Sequence, residues 1–271
     1  MVSSVSSEES LAGGWQTEVR RVGDIVLHSP KPQSSTVIAL LVHLRDIGFD
    51  GSPHPIGDGF NIDGHAQLEY VEGATPHPGP WNDDDAWRLG DLLRRVHHAT
   101  ASFVAPHDPV WQPWFARTLP GEHRVIGHGD LGPWNILKRP NERLVLIDWD
   151  NAGPVGAPWE LAQLVWLNAQ LHDDDVAVRS GLPSPEERIR QAAAIVDGYR
   201  LAPSERQRFA DTSIEIAIRT ARDEAVQAAV TPDTTSPDAR GFPTLWAVAW
   251  RARAAAWMVE HRAQIHAAIA P

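Results

Sequence analysis

One stretch limits what this chain can become: His128-Gly-Asp-Leu-Gly-Pro-Trp-Asn135, linked by a short apolar segment to Leu144-Val-Leu-Ile-Asp-Trp-Asp150. Gly129, Gly132 and Pro133 hold the first part out of regular structure, so Asp130 and Asn135 share one turn-rich loop. Leu144 to Ile147 is a run of apolar residues that reads as a buried strand, and Asp148 stands where it emerges. Between them lie Ile136-Leu137, a Lys-Arg-Pro-Asn turn and the returning strand. A hairpin of that length sets Asn135 beside Asp148. An amide oxygen and a carboxylate so placed are hard ligands, suited to a Mg2+ ion that keeps several waters and bridges phosphates. A second carboxylate nearby, Asp130, can orient a hydroxyl and accept its proton. In isolation the Asp130–Asn135 pair equally fits a helix cap or a polar turn. Asp148 at hairpin distance is what favours chemistry.

The rest of the chain divides by pattern. Thr17 to Val22 and Ile25 to His28 flank a Gly23-Asp24 turn, a hairpin signal. Val37, Leu40, Leu41 and Leu44 recur at helical spacing over Ser34 to Ile47, with Ser34 or Ser35 as its cap. Gly48 to Gly64 reads as turns and Ala66 to Val71 as a strand. Residues 74–81 are a Pro/Gly-rich connector, beyond which helices dominate. Asp83 caps a helix through Val96, with Asp83-Asp-Asp85 complementing its dipole. Short strands are expected at 124–126 and 144–148, and helices at 159–171, 185–199, 203–229 and 242–269. Ser184 with Glu187 makes a capping box, and Pro203 suits a first helical position.

Composition narrows the function. A net charge of −11, from 35 acidic and 24 basic residues, argues against nucleic acid or an anionic membrane as partner. It suits steering of a cationic ligand, or solubility alone. No apolar run is long enough to span a bilayer, and Met1 to Ser10 lacks the pattern of a signal peptide. With no cysteine in the chain, disulfides and thiolate metal sites are excluded, and a cytoplasmic location is expected. The chain also lacks a Gly-x-Ser-x-Gly elbow, a His-Glu-x-x-His helix and a Walker loop.

The His-x-Asp-x-x-x-x-Asn motif at 128–135, followed by Ile147-Asp148-Trp149, resembles the catalytic loop and metal-binding segment of the aminoglycoside phosphotransferase and choline kinase superfamily. Weaker similarity runs through Gly13-Gly14 to Asp24, Leu92 to His97 and Gly156 to Ala162. The resemblance implies an α+β, two-lobed protein-kinase-like fold with a small β-rich N-terminal lobe and a larger, mainly helical C-terminal lobe. The corresponding division is a disordered tail over 1–10, a nucleotide-binding lobe over 11–73, the connector 74–81 and a catalytic and substrate-binding lobe over 82–271. It implies Asp130 as catalytic base, Asn135 and Asp148 as Mg2+ ligands, and ATP or GTP as phosphoryl donor. The acceptor would be a hydroxyl of a small cationic or polyhydroxylated molecule, such as an aminoglycoside-type antibiotic. His128 would brace the metal-binding aspartate, with His97 packed under the loop.

By the same resemblance the nucleotide lies between the lobes, its base against the backbone of Glu69, Tyr70 and Val71. Gly13 and Gly14 let the first hairpin approach phosphates, although a Gly-Gly pair is also a plain turn. The chain departs from the family where a strand lysine and a helix glutamate are usual. His28 takes the strand position, Lys31 follows three residues on, and the helix after it contains no glutamate. Lys31 or a protonated His28 can substitute. Asp150 reads as a supporting carboxylate, a substrate-facing one or a turn residue. Asp173, Asp174 and Asp175 fall where related enzymes line the acceptor pocket, or form a solvated charge run. Glu160 replaces the usual aspartate in a position that braces the catalytic loop. An immunity-type or nucleotide-binding protein with little transfer activity is the alternative to an enzyme.

Overall fold

The computed structural model describes residues 8–10, 19–119, 124–237 and 241–270. Five short strands form an antiparallel sheet in the order β1-β2-β3-β5-β4: β1 (Glu8–Ser10), β2 (Val19–Val22), β3 (Ile25–His28), β4 (Pro55–Phe60) and β5 (Ala66–Glu69). The Gly23-Asp24 turn closes the β2–β3 hairpin, with Val19 opposite His28 and Val22 opposite Ile25. Two expectations are corrected here. The tail expected over 1–10 contains β1, an edge strand that hydrogen-bonds to β2 although its Glu-Glu-Ser sequence carries no strand signal. The turns expected from Gly48 to Gly64 contain β4, whose Gly57 and Gly59 break the alternation and whose pairing with β5 shifts register between Pro55 and Phe60.

Helix α1 (Ser34–Asp46) buries Val37, Ile38, Leu40, Leu41 and Leu44. Its cap is Gln33 rather than Ser34 or Ser35. The Ser34 hydroxyl lies inside the first turn and accepts the Lys31 N–H at 2.9 Å, while the Ser34 N–H reaches the Lys31 carbonyl at 3.0 Å. These two bonds fix the loop that carries Lys31 onto the start of the helix.

Beyond the sheet the chain is mainly helical. Helix α2 (Asp83–Thr100) is capped by Asn82, one residue before the expected Asp83, because the Asn82 side chain accepts the Asp85 N–H at 2.7 Å. Two small antiparallel pairs follow: β6 (Arg124–Gly127) with β9 (Gly153–Gly156), and β7 (Ile136–Lys138) with β8 (Leu144–Leu146). Strand β9 was not expected, since Gly-Pro-Val-Gly has almost no strand propensity. The remaining helices are α3 (Ala157–Asn168), α4 (Asp174–Arg179), α5 (Pro185–Tyr199), α6 (Pro203–Arg206), α7 (Phe209–Gln227), α8 (Thr244–Glu260) and α9 (Arg262–Ile269). The capping box of α5 is complete, with reciprocal bonds of 3.3 and 3.0 Å between Ser184 and Glu187. The helix expected over 203–229 divides after Arg206, whose guanidinium turns back to the Leu201 carbonyl and Asp197. The helix expected over 242–269 divides at His261.

Helices α2 and α5 meet backbone to backbone. A Cβ on Gly90 would lie 1.9 Å from the Ile195 carbonyl oxygen, and one on Gly198 would lie 1.9 Å from that of Trp87. One continuous apolar core runs from Val37 in α1 to Ile269 in α9. The connector is stitched to the body. Ala74 and Lys138 exchange both backbone bonds at 3.1 and 2.8 Å, and buried Trp81 donates its indole N–H to Asn168 at 3.0 Å. Among the described residues no helix is long and apolar enough to cross a membrane.

Candidate active site

Strand β6 delivers the chain to His128, and a 3-10 turn over Pro133–Asn135 passes it into β7. His128 is fully buried. Its Nδ1 accepts the Asp130 N–H at 3.2 Å, so its proton sits on Nε2, which donates to the Ile147 carbonyl at 2.9 Å. The imidazole thereby ties the loop bearing Asp130 to the residue before Asp148, and it stands edge-on to buried Trp149. The Asn135 amide donates to the Asp130 carbonyl at 3.1 Å, and the Asn135 carbonyl accepts the Ile147 N–H at 2.9 Å. The β7–β8 register therefore sets Asn135 across from Ile147, one residue from Asp148. Asp130, Asn135 and Asp148 gather at one hairpin end.

Asp148 is exposed and left-handed, at φ 59° and ψ 66°. A side chain in that region costs on the order of 1–3 kcal/mol and persists only where its surroundings impose it. Here the apolar β8 strand on one side and buried Trp149 on the other hold the backbone, leaving the carboxylate outward. Burial pushes the Asp130 carboxyl above the ordinary aspartate range and the Asp148 carboxylate adds to the rise, against the pull of His128, Asn135 and the Gly132 N–H. A divalent cation at the hairpin end would relieve the repulsion between the two carboxylates. The donor set fits Mg2+: Asn135 uses its amide N–H on the Asp130 carbonyl, which leaves Oδ1 as the ligand atom beside the Asp148 carboxylate. Among the described residues no three His, Asp or Glu side chains gather as a closed metal cage, and two protein oxygens are what a Mg2+ sharing phosphates and water requires.

Helix α3 grips this loop from below. Glu160 is completely buried, accepting the Gly129 N–H at 2.7 Å on one oxygen and meeting His97 Nε2 at 2.6 Å with the other. The opposite nitrogen of His97 meets the Tyr199 hydroxyl at 2.8 Å. Burial works against the Glu160 carboxylate, but the His97 bond and charge together with the Gly129 N–H hold it below the usual glutamate range. Burial and the Glu160 charge push the Tyr199 hydroxyl up, so it stays protonated and can donate. Glu160 thus braces the loop that bears Asp130, and His97 lies beneath it. Further along α3, Gln163 accepts the Leu131 N–H at 3.3 Å and Asn168 donates to the Leu131 carbonyl at 2.8 Å. Sequence reasoning missed both. Their signal was polar residues inside the otherwise apolar Leu161 to Leu167 run and at its end. It also missed Arg117, whose guanidinium clamps the Asn151 and Ala152 carbonyls at 2.8 and 3.2 Å just after Asp148 to Asp150.

Among the residues expected to meet a nucleotide, the Glu69 N–H donates to the His54 carbonyl and the Tyr70 N–H to that of Asp24, each at 2.8 Å. Neither amide can therefore donate to a base. Val71 is buried beside them, and Arg21 stacks on the Tyr70 ring at 3.5 Å. Gly13 and Gly14 lie outside the described residues. His28 ends β3, half-buried, opposite Val19 and Ala66. Lys31 reaches across to the C-terminal lobe, its ammonium donating to Asp150 at 2.5 Å. Buried Gln33 donates to the Asp150 carbonyl at 3.4 Å. Asp150 is thus an ion-pair partner, neither a plain turn residue nor a free acceptor-facing carboxylate.

The acidic run at 173–175, read either as lining an acceptor pocket or as a solvated charge run, is paired within the protein. Arg253 pairs with Asp173 at 2.9 Å and with Asp175, while Asp174 accepts from Arg188 at 3.0 Å and from the Trp257 indole at 2.8 Å. These bonds are corrections to the expectation of a cation-binding cluster. They arise because α8 carries Arg253 and Trp257 onto α4, a pairing invisible in local sequence. Closer to Asp130, Arg251 pairs with Glu224 at 3.3 Å, and burial lowers its pKa against the pull of the Glu224 and Asp130 carboxylates. His172, held neutral by burial with a pKa of about 3, lies against Trp250, which in turn meets Trp166.

Comparison with known proteins places this geometry. Residues 64–200 match the model of the Phosphotransferase enzyme family. The chain is 46% identical over 266 residues to the trifolitoxin immunity protein of Rhizobium leguminosarum bv. trifolii, covering 98% of this chain and 100% of that protein. Among solved structures, a choline/ethanolamine kinase family protein from Mesorhizobium loti superposes with a TM-score of 0.63 at 18% identity, over 98% of this chain and 94% of that one. An amicoumacin kinase in complex with AMP-PNP, Ca2+ and Ami gives 0.56 at 16% identity, over 97% and 90%. These likenesses establish the protein-kinase-like fold: a small β-rich N-terminal part and a mostly helical remainder. On the strength of the family match and the near full-length relative, this chain belongs to the Phosphotransferase enzyme family.

Proposed function

We propose that the protein transfers the γ-phosphoryl group of ATP or GTP to a hydroxyl of a small polyhydroxylated or amine-bearing molecule, in a protective role. The observation that carries this reading is the convergence of Asp130, Asn135 and Asp148 at one hairpin end, locked by His128. Asp130 orients the acceptor hydroxyl and takes its proton as the new O–P bond forms and the bond from the γ-phosphorus to the bridging oxygen breaks, leaving a nucleoside diphosphate. Its raised pKa makes it a better base than an exposed aspartate. Asn135 and Asp148 would hold Mg2+, which supplies charge neutralisation for the phosphates. Helix α3, through Glu160, Gln163 and Asn168, keeps the loop in register, so little reorganisation accompanies transfer.

The protective role is supported by the relative named for immunity to trifolitoxin. The decisive measurement is coupled nucleoside-diphosphate release across aminoglycosides, peptide antibiotics including trifolitoxin, choline and sugars. Acceptor-dependent turnover that disappears in Asp130→Ala is the expected result. A second reading, an immunity-type binding protein without transfer, is favoured by His28 standing on β3 and by an α1 that has no glutamate. Nucleotide binding with no turnover on any acceptor would select it.

A further inference from the structure

Lys31 and Asp150 come from the two lobes and meet in an ion pair. Lys31 sits on the loop between β3 and α1, and Asp150 lies two residues past Asp148. Their ion pair is short, at 2.5 Å, and both side chains are mostly shielded, at 25% and 19% exposure. Its frame is rigid on both sides. The Lys31 backbone is locked to Ser34 by two hydrogen bonds, and the Asp150 carbonyl is held by buried Gln33. Arg117 fixes the Asn151 and Ala152 carbonyls that follow. Helix α1 offers no carboxylate in its first three turns, so no acidic partner for a cleft lysine can come from it.

We propose that Lys31 is the phosphate-contacting cation of this protein and that Asp150 is the positioning residue that aims it. The proposal rests on the reading that the cleft takes a nucleotide. An ammonium carries three N–H donors, so a lysine held on a carboxylate can still meet phosphate oxygens. Anchored to the segment that bears Asp148, it would stand where the phosphates of a Mg2+-bound nucleotide converge on that carboxylate. The pair thus does from a loop and the metal segment what a strand lysine and a helix glutamate would otherwise do. It also couples the two lobes, because the β3–α1 loop rests on Asp150 through the Lys31 ammonium.

The test separates phosphate recognition from a simple clasp between lobes. Dissociation constants for AMP and AMP-PNP, and for GMP and GMP-PNP, are measured by calorimetry with Mg2+ for the wild type, Lys31→Ala, Lys31→Arg and Asp150→Asn. Thermal unfolding of each variant without ligand serves as the fold control. Lys31→Ala is expected to weaken the triphosphate analogue by about tenfold or more while barely moving the monophosphate. Lys31→Arg should recover most of that loss, and Asp150→Asn should show a smaller loss in the same direction. In the double variant Lys31→Ala/Asp150→Asn, affinity should fall no further than in Lys31→Ala. Equal losses for mono- and triphosphate, or no loss at all, would overturn the proposal while leaving the nucleotide reading intact. A wild type that binds none of the four ligands overturns both.

Discussion

At the residue scale, the site is a set of side chains set against the medium they occupy. Asp130 is the clearest case. A carboxyl whose folded pKa is raised binds its proton more tightly in the native than in the unfolded state. Its ionisation therefore costs stability once the pH exceeds the unfolded value near 4, and the cost grows until the folded pKa is passed. Asp130→Asn, which cannot ionise, should raise the Tm of metal-free protein at pH 7 and abolish acceptor-dependent turnover. The Tm difference should close below about pH 4, as a pH series of calorimetric scans would reveal. Glu160 behaves oppositely. Its depressed pKa means that its stabilising effect is present at neutral pH and lost as acid protonates it. Removing one member of a fully buried pair leaves the other uncompensated, so Glu160→Ala should cost about 3–5 kcal/mol in urea denaturation. A loss under 1 kcal/mol would mean that α3 does not depend on this pair.

At the scale of elements, two contacts set the frame that carries the loop. Helices α2 and α5 approach until each glycine faces a carbonyl of the other helix. Glycine inside a helix ordinarily costs up to about 1 kcal/mol relative to alanine, and here that cost secures the close approach. Gly90→Ala should therefore destabilise despite its better helix propensity, by roughly 1–3 kcal/mol or more from overpacking. A neutral or stabilising result in chemical denaturation would show that the helices can move apart freely. The same crossing puts Tyr199 of α5 over His97 of α2 and so closes the chain of bonds to Glu160 and Gly129. Helix crossing and loop position are one structural fact.

At the scale of the whole molecule, the apolar core runs through both lobes and the connector is bonded to β7. A domain pair joined only by a flexible linker would unfold in two steps. This chain is expected to show one cooperative calorimetric transition, and two resolved transitions would contradict the shared core. Nucleotide with Mg2+ should raise that single transition as a unit, since ligand at about 100 times its Kd adds roughly 2.7 kcal/mol to the native state. The shift should vanish in a variant lacking both Asn135 and Asp148 side-chain oxygens.

How much of this was legible beforehand divides along a physical line. Periodicity and turn chemistry are local, so the β2–β3 hairpin, α1, α2, α5 with its capping box, and the β7–β8 hairpin that sets Asn135 beside Asp148 could all be read from residues near in sequence. Strands β1, β4 and β9 could not, because edge pairing and glycine-rich pairing draw on backbone hydrogen bonds rather than side-chain pattern. The side-chain partners of Lys31, of the acidic run at 173–175 and of Glu160 lie between 14 and 119 residues away along the chain. A charge in a sequence states what it can pair with and never which partner it meets. The sequence alone determined the chemistry available at one loop; packing decided which carboxylates remained open to use it, because burial and pairing are properties of neighbours in space.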